Sequence, residues 1–176
     1  MRVNFERIYQ QHFRQVWRFL ARLGVPERDL PDAVQDVFVV VHRKLEEFEG
    51  RSRMDTWLYG ICMRVASDRR RRASQRFESL EHPDEAAYDA LDEAGDERLG
   101  LKALATRILQ SLPLEQRAVF VCFELEGLNS QEVAERLAIP LGTVHSRLRL
   151  ARAGFRKELA RLRAREGAWL RVGGQD

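Results

Sequence analysis

Apolar residues in the first half of the chain recur at three- and four-residue steps, the spacing that places them on one face of an α-helix. Three such stretches occur, over residues 5–20, residues 30–48 and residues 54–65, and the last leads into a basic run. Within the second stretch, residues 37–41 are mostly β-branched and favour a strand by propensity, but the longer period favours a helix. The pattern predicts a first domain of three or four helices that ends near Ser74.

The composition changes sharply after this domain. Residues 78–97 contain nine acidic residues, no Lys or Arg, and little apolar periodicity. Such a segment cannot bury enough apolar surface to fold alone. We therefore predict an acidic flexible linker over residues 75–98, which like charges keep extended.

Helical periodicity returns in the second half, over residues 99–112 and again before Gly127, with Pro113 suited to the first turn of the later helix. The predicted second domain covers residues 99–165, and residues 166–176 form a short tail that we expect to be frayed. Together with the first domain, residues 1–74, this predicts an all-α fold of two small helical domains joined by the acidic linker.

A helix-turn-helix is predicted within residues 128–165. Asn129 can cap its first helix, and Glu132 three residues later completes a capping box. The sequence Pro-Leu-Gly at residues 140–142 breaks the helix, and a second helix with one apolar face is predicted from Thr143. The other faces of this second helix are basic, with Glu158 as the only acidic residue between Pro140 and Arg165. The basic residues are His145, Arg147, Arg149, Arg152, Arg156, Lys157, Arg161, Arg163 and Arg165.

The sign bias of this helix points to DNA. In helix-turn-helix docking the first residues of the second helix reach base edges, while flanking cations neutralise phosphates. The residues in these positions are Thr143, His145, Ser146, Arg147, Arg149 and Arg152. Arginine can hold guanine through two hydrogen bonds, and Ser or Thr can donate to a base or a phosphate. The alternative is a solvated helix face of an ordinary bundle, although such faces usually mix acidic with basic residues.

The overall composition narrows the class of protein. The 176 residues carry a net charge of +3, but basic residues gather near residues 64–76 and after Thr143, so the partner site is expected to be local. Cys62 and Cys122 each lie in an apolar helical pattern and are expected to be buried thiols. The N-terminus lacks a signal-type apolar core and no run approaches bilayer length, so we expect no membrane insertion and a location in the reducing cytoplasm.

Two sets of residues, in matching order, give the chain its resemblance to a known family. In the first half they are residues 32–38 (Asp-Ala-Val-Gln-Asp-Val-Phe), Phe48, Gly50, residues 56–59 (Thr-Trp-Leu-Tyr) and the four arginines 69–72. In the second half they are Leu112, Pro113, Gln116, Arg117, Gly127, Leu128, residues 132–134 (Glu-Val-Ala) and residues 140–147 (Pro-Leu-Gly-Thr-Val-His-Ser-Arg). On these residues the chain resembles the extracytoplasmic-function sigma factors, the compact members of the sigma-70 family.

The resemblance implies a division of labour between the domains. The first would hold core RNA polymerase and the minus-10 element of the promoter, and the second would bind the minus-35 element. Asp32, Gln35 and Asp36 would then face a basic coiled coil on the polymerase clamp. From spacing alone, a solvated acidic face is an equal alternative for these residues.

By the same resemblance, the loop of residues 49–55 and the helix after it would open the promoter strands by extruding a base into a loop pocket. The residues assigned to minus-10 binding and melting are Arg51, Ser52, Arg53, Trp57, Arg64, Asp68, Arg69 and Arg70. Trp57 equally suits core packing, because it lies on the apolar face of the predicted helix. The chain departs from the usual family residues at Gly60, at Met63 and Arg64, and at Leu150.

The leading hypothesis is a sigma factor, a binding protein without covalent chemistry or cofactor. Its partners would be core RNA polymerase, promoter DNA and, as is common in the family, an anti-sigma factor. In the family the linker threads toward the RNA path of the polymerase, so it would act either as a tether or as a mimic of nucleic-acid charge. The alternative function is a self-sufficient helix-turn-helix transcriptional regulator, which would bind its DNA without polymerase.

A third hypothesis comes from the spacing of three aspartates. Asp29, Asp32 and Asp36 lie on one side of a predicted helix and could hold Mg²⁺ beside a phosphate, as in a metal-dependent nuclease. No general base accompanies them, and the four histidines have no ligand spacing. We therefore expect neither a metal site nor catalytic residues.

Overall fold

A computed structural model describes residues 4–79 and 97–172, and every regular element within these ranges is helical. The helices are α1 (Phe5–Arg22), a 3-10 turn (Glu27–Asp29), α2 (Leu30–Lys44), α3 (Met54–Ser79), α4 (Glu97–Ser111), α5 (Leu114–Phe120), a π-helical turn (Val121–Leu125), α6 (Ser130–Leu137) and α7 (Leu141–Val172). The predicted all-α fold is confirmed. The central part of the predicted linker, residues 80–96, lies outside the described residues, as do residues 173–176 of the predicted tail.

Helices α1, α2 and α3 pack on one another and form the first domain. Asn4 caps α1, with its side-chain oxygen accepting a hydrogen bond from the Glu6 amide at 2.9 Å. The prediction that α2 continues to Phe48 is wrong, because the helix ends at Lys44 and two successive turns follow. Phe48 lies beyond the end of the helix but still packs against the protein, with its ring centre 4.9 Å from that of Trp57. This packing explains why an apolar residue continues the helical spacing at position 48.

Helices α4 to α7 form the second domain, in which α7 packs against α4, α5 and α6. The predicted capping box is confirmed: the Asn129 side chain accepts from the Glu132 amide, and the Glu132 carboxylate accepts from the Asn129 amide. Helix α6 then ends at Ala138, whose backbone is left-handed with φ 52°. Helix α7 begins at Leu141, two residues before the predicted Thr143, because Pro140 fits the start of a helix and its carbonyl accepts the first bonds.

The two domains share a continuous hydrophobic core rather than standing apart. The core joins Leu58 and Ile61 of α3 to Val119 and Val133 of the second domain, and all four side chains are buried. Helix α3 extends to Ser79 and α7 extends to Val172, so both helices run past the predicted domain ends. Among the described helices, none is both long enough and apolar enough to cross a membrane.

Candidate nucleic-acid interface

The first turns of α7 present polar side chains on the outside of the second domain. Val144, Leu148 and Ala151 are buried and fix which side of α7 faces the core. The opposite side is exposed because an α-helix places residues three or four apart on one face. The helix-turn-helix therefore holds the predicted base-reading segment outward from a rigid support.

The structure places the predicted minus-35 residues on this outer side, at different depths. His145, Ser146 and Arg149 are exposed, whereas Thr143 and Arg147 are half-buried. The Ser146 hydroxyl donates to the Thr143 carbonyl at 3.0 Å, so the hydroxyl oxygen remains able to accept a hydrogen bond from DNA.

Arg152 is engaged within the second domain. Its guanidinium pairs with the Glu124 carboxylate at 2.7 Å and lies 5.2 Å from the centre of the Phe123 ring. Glu124 belongs to the π-helical turn, so the acidic partner comes from another part of the chain. The charge pattern of α7 alone gives no sign of this pair, which ties α7 to the π-helical turn.

The predicted melting loop is rich in local ion pairs. Arg51 pairs with Glu49, and the Arg53 guanidinium lies 3.8 Å from the Asp55 carboxylate. Ser52 is exposed between them. Trp57 is half-buried against Phe48, in agreement with the core-packing interpretation of this residue.

Farther along α3, some of the predicted DNA-binding residues are exposed and others form ion pairs within the described part of the chain. Arg64 and Arg70 are exposed, and Asp68 pairs with Arg71 at 3.1 Å. The Arg69 guanidinium donates to the Asp36 carboxylate at 2.6 Å, which joins a residue predicted to bind DNA to one predicted to bind polymerase.

The predicted polymerase-binding residues lie side by side on the outside of α2. Asp32, Gln35 and Asp36 are all exposed. Gln35 also lines an apolar groove of about 530 Å³ between α1 and α2. Aromatic side chains dominate the groove, namely Phe5, Tyr9, Phe13, Trp17 and Phe38. The acidic residues thus border an apolar surface, a combination that suits a protein partner.

The aspartates of the nuclease hypothesis do not form a metal site. Asp29 has Arg28 at 3.9 Å and Asp36 has Arg69 at 2.6 Å, so two of the three carboxylates face cations. In residues 4–79 and 97–172, no three His, Cys, Asp or Glu side chains are arranged to hold a metal ion.

Both cysteines are fully buried, as predicted, and burial raises the pKa of each thiol far above its ordinary value. They lie in different domains, Cys62 in α3 and Cys122 in the π-helical turn. Neither carries the electropositive, exposed environment of a reactive cysteine.

The sequence analysis missed the polar residues that connect the domains. Arg117 is 3% exposed, and its guanidinium donates to the backbone carbonyls of Leu23, Gln110 and Leu112. Glu126 accepts from the Tyr59 hydroxyl at 2.7 Å and lies 3.5 Å from Arg22. The one signal in the sequence that indicates such a role is the position of Arg117 directly before the apolar run of residues 118–123.

Comparison with known proteins places both domains in one family. Residues 8–76 match sigma-70 region 2, and residues 102–153 match sigma-70 region 4. The chain is 35% identical to the ECF RNA polymerase sigma-E factor of Escherichia coli (strain K12) over 138 residues, which cover 73% of this chain and 72% of that protein. It is 31% identical to the ECF RNA polymerase sigma factor SigM of Mycobacterium tuberculosis (strain ATCC 35801 / TMC 107 / Erdman) over 161 residues, covering 92% and 78% of the two chains.

A solved structure shares the fold. The sigma factor RpoE of Bartonella quintana, in its co-crystal with the anti-sigma factor NepR, matches with a TM-score of 0.64 and 21% sequence identity, covering 89% of this chain and 96% of that one. The helix-turn-helix and the paired regions define the class, a sigma-70-type transcription initiation factor. Within that class the chain belongs to the extracytoplasmic-function (ECF) RNA polymerase sigma factors.

Proposed function

We propose that the two domains of this sigma factor recognise different promoter elements, the second domain the minus-35 element and the first domain the minus-10 element. The second domain binds the minus-35 element through the first turns of α7, where His145, Ser146 and Arg149 are exposed on a side that the core leaves free. This outward placement is the observation that carries the proposal. Thr143, Arg147 and Arg152 lie beside these residues and contact the DNA backbone, Arg152 by exchanging its Glu124 partner for a phosphate.

The first domain binds core polymerase and the minus-10 element. Asp32 and Gln35 offer an acidic and polar face beside the apolar groove, and this combination fits a basic protein partner. Arg64 and Arg70 on α3 supply exposed cations for the opened strand. The protein acts in the cytoplasm as a binding subunit without covalent chemistry.

An anti-sigma factor belongs to the same proposal. The RpoE of Bartonella quintana was solved in complex with one, and that protein shares this chain's fold. An inhibitor that covers the acidic face of α2 or the first turns of α7 would block the polymerase or the promoter.

The minus-35 assignment is tested with two matched arginines of α7. Arg149→Ala removes an exposed cation near the start of the helix, and Arg156→Ala removes one two turns later. If Arg149 contacts a base, we expect holoenzyme affinity for the promoter to fall about tenfold. If it contacts a phosphate, the salt slope should decrease by about one. Arg156→Ala should behave like the unmodified protein, and equal effects of the two variants would contradict the assignment.

The polymerase assignment is tested on Asp32, because Asp36 is already held by Arg69 and its replacement changes two surfaces at once. Asp32→Arg places a cation against a basic partner and should weaken binding of core polymerase by about tenfold or more. Glu46→Arg makes the same charge change at another exposed position and serves as the control. Unchanged affinity in the Asp32 variant would remove this face from the polymerase interface.

A further inference from the structure

Leu150 is a large apolar residue on the outer side of α7. It is 45% exposed, whereas Leu148 and Ala151, close to it in sequence, are buried and hold this turn of α7 against the core. A single exposed leucine is ordinary on a protein surface, so exposure alone indicates no role. The position of Leu150 among the predicted minus-35 residues is what distinguishes it. It is also a position at which the chain departs from the usual family residues.

Leu150 shares its side of α7 with two residues through which the proposed function has this helix bind the minus-35 element. Arg149 and Leu150 lie three and four residues after Ser146, so both occupy the next turn of the helix on the same side. All three residues are exposed. Ala153 follows on this side, so a small apolar side chain succeeds the leucine rather than a cation. Leu150 thus adds an apolar element to the surface that faces DNA.

The spacing along α7 lets these residues enter one groove together. Four residues span about 6 Å of helix axis. The major groove of DNA is about 12 Å wide and admits an α-helix. Leu150 therefore remains within the groove when Ser146 contacts a base edge there.

The chemistry of a leucine side chain restricts what it can recognise in that groove. It has no charge for a phosphate and no donor or acceptor for the polar groups of a base edge. The C5-methyl group of thymine is the apolar group by which one base differs from the others in the major groove. Contact between two apolar groups removes both from water, which favours a sequence that carries the methyl group at this point.

We propose that Leu150 reads the C5-methyl group of a thymine in the minus-35 element, so that the chain selects an A·T pair at that position through an apolar contact. This inference rests on the proposed binding of the minus-35 element by α7. It adds to the basic and hydroxyl side chains of the helix a residue that determines sequence preference without a hydrogen bond.

Replacement of thymine by uracil tests this contact at the level of one methyl group. Uracil pairs with adenine as thymine does and lacks only the C5-methyl group. The probes are fluorescent promoter duplexes in which each thymine of the minus-35 element, on either strand, is replaced in turn. Because the duplexes are synthetic and contain no 5-methylcytosine, thymine supplies their only C5-methyl groups. Binding is measured with holoenzyme assembled from the full chain and core RNA polymerase.

We expect one of these replacements to weaken binding of the unmodified holoenzyme about fourfold, the factor that corresponds to one buried methyl group. With Leu150→Ala, binding to the thymine probe should fall by about the same factor, and the uracil probe should then bind equally well. Leu150→Met keeps a long apolar side chain and should retain the discrimination. Leu125→Ala, which shortens a leucine of similar exposure on the π-helical turn, is the control and should also retain it.

A change of sequence preference provides a second measurement. Leu150→Arg places a guanidinium at the same point, and arginine can hold guanine through two hydrogen bonds. The preference at the identified position should therefore shift from A·T toward G·C. A leucine with a purely structural role would not move this preference, and an unchanged preference in the arginine variant would contradict the contact.

Three results of the uracil experiment would overturn the inference. The first is the absence of a uracil effect at every thymine of the element. The second is discrimination that persists in Leu150→Ala, which would assign the methyl contact to another residue. The third is an equal loss of binding on both probes in that variant, which would place Leu150 against a protein partner. Circular dichroism verifies that the variants are folded, and the scan with the unmodified holoenzyme requires no variant.

A scrambled minus-35 element separates failure of this inference from failure of the proposed function. Holoenzyme that binds the scrambled promoter as tightly as the original would contradict the proposed function. Holoenzyme that requires the element but ignores its methyl groups would contradict only the inference about Leu150.

Discussion

Replacement of Arg117 by methionine tests how the structure holds a buried charge between its domains. The Arg117 guanidinium has no carboxylate partner among the described residues, but it donates to three backbone carbonyls. Two of them lie at the C-terminal end of α4: Gln110 is in its last turn, and Leu112 directly follows it. The third, Leu23, lies just past the end of α1. Each helix C-terminus carries the equivalent of roughly −0.5 charge, so two of them offset one guanidinium.

The size of the effect follows from these three bonds. Hydrogen bonds to a charged group contribute about 1.5–3 kcal/mol each, whereas burial of the guanidinium costs several kcal/mol. We therefore expect Arg117→Met to lower the free energy of unfolding by about 2–4 kcal/mol, since methionine keeps the apolar stem but leaves the carbonyls without a donor.

Urea unfolding followed by far-UV circular dichroism measures this loss. Arg18→Met, at an exposed position of α1, removes a similar side chain and should change the free energy by less than about 0.5 kcal/mol. Arg117→Lys keeps the charge with a different donor geometry and should fall between the two. An Arg117→Met protein as stable as the unmodified chain would refute the reasoning, because the three bonds would then only offset the cost of burial.

The remaining predictions concern pH, backbone strain and thiol reactivity. Burial raises the pKa of Tyr59, because the folded protein favours the neutral phenol. The stability that Tyr59 contributes is therefore complete below about pH 10, the ordinary pKa of tyrosine, and is lost as the pH rises through the folded-state pKa. The free energy of unfolding measured in urea should fall at alkaline pH, and Tyr59→Phe should flatten that fall. Ala138→Gly should raise the free energy of unfolding by about 0.5–1 kcal/mol, because Ala138 is left-handed, whereas Gly127→Ala should lower it by a similar amount. Cys62 and Cys122 should resist a thiol reagent in the native protein and react in urea, and rapid native reaction would contradict their burial.

Local patterns predicted the helices well because their causes lie close together in sequence. The spacing of apolar residues and the capping box at Asn129 involve residues within one or two turns, and the structure confirms both. The end of α2 was missed because Leu45 packs on the core and Phe48 packs on Trp57 after the helix has stopped, which preserves the apolar spacing without helical backbone.

Long-range pairs were not predictable, because no local rule connects their members. Asp36 pairs with Arg69, 33 positions away, and Glu126 binds Tyr59, 67 positions away. The sequence identified Asp36 and Arg69 as separate candidates for different partners, while the fold joins them. The interdomain contact arises in the same way, from side chains that become neighbours only when the two domains pack.

Reconstitution with sigma-free core RNA polymerase tests the central claim most directly. The purified chain is mixed with core enzyme, the complex is isolated by size exclusion, and promoter opening is followed with a fluorescent base analogue in the minus-10 element. The account predicts co-elution and opening that depends on both promoter elements. Tight, specific promoter binding by the chain alone, without association with polymerase, would contradict it and favour a self-sufficient regulator.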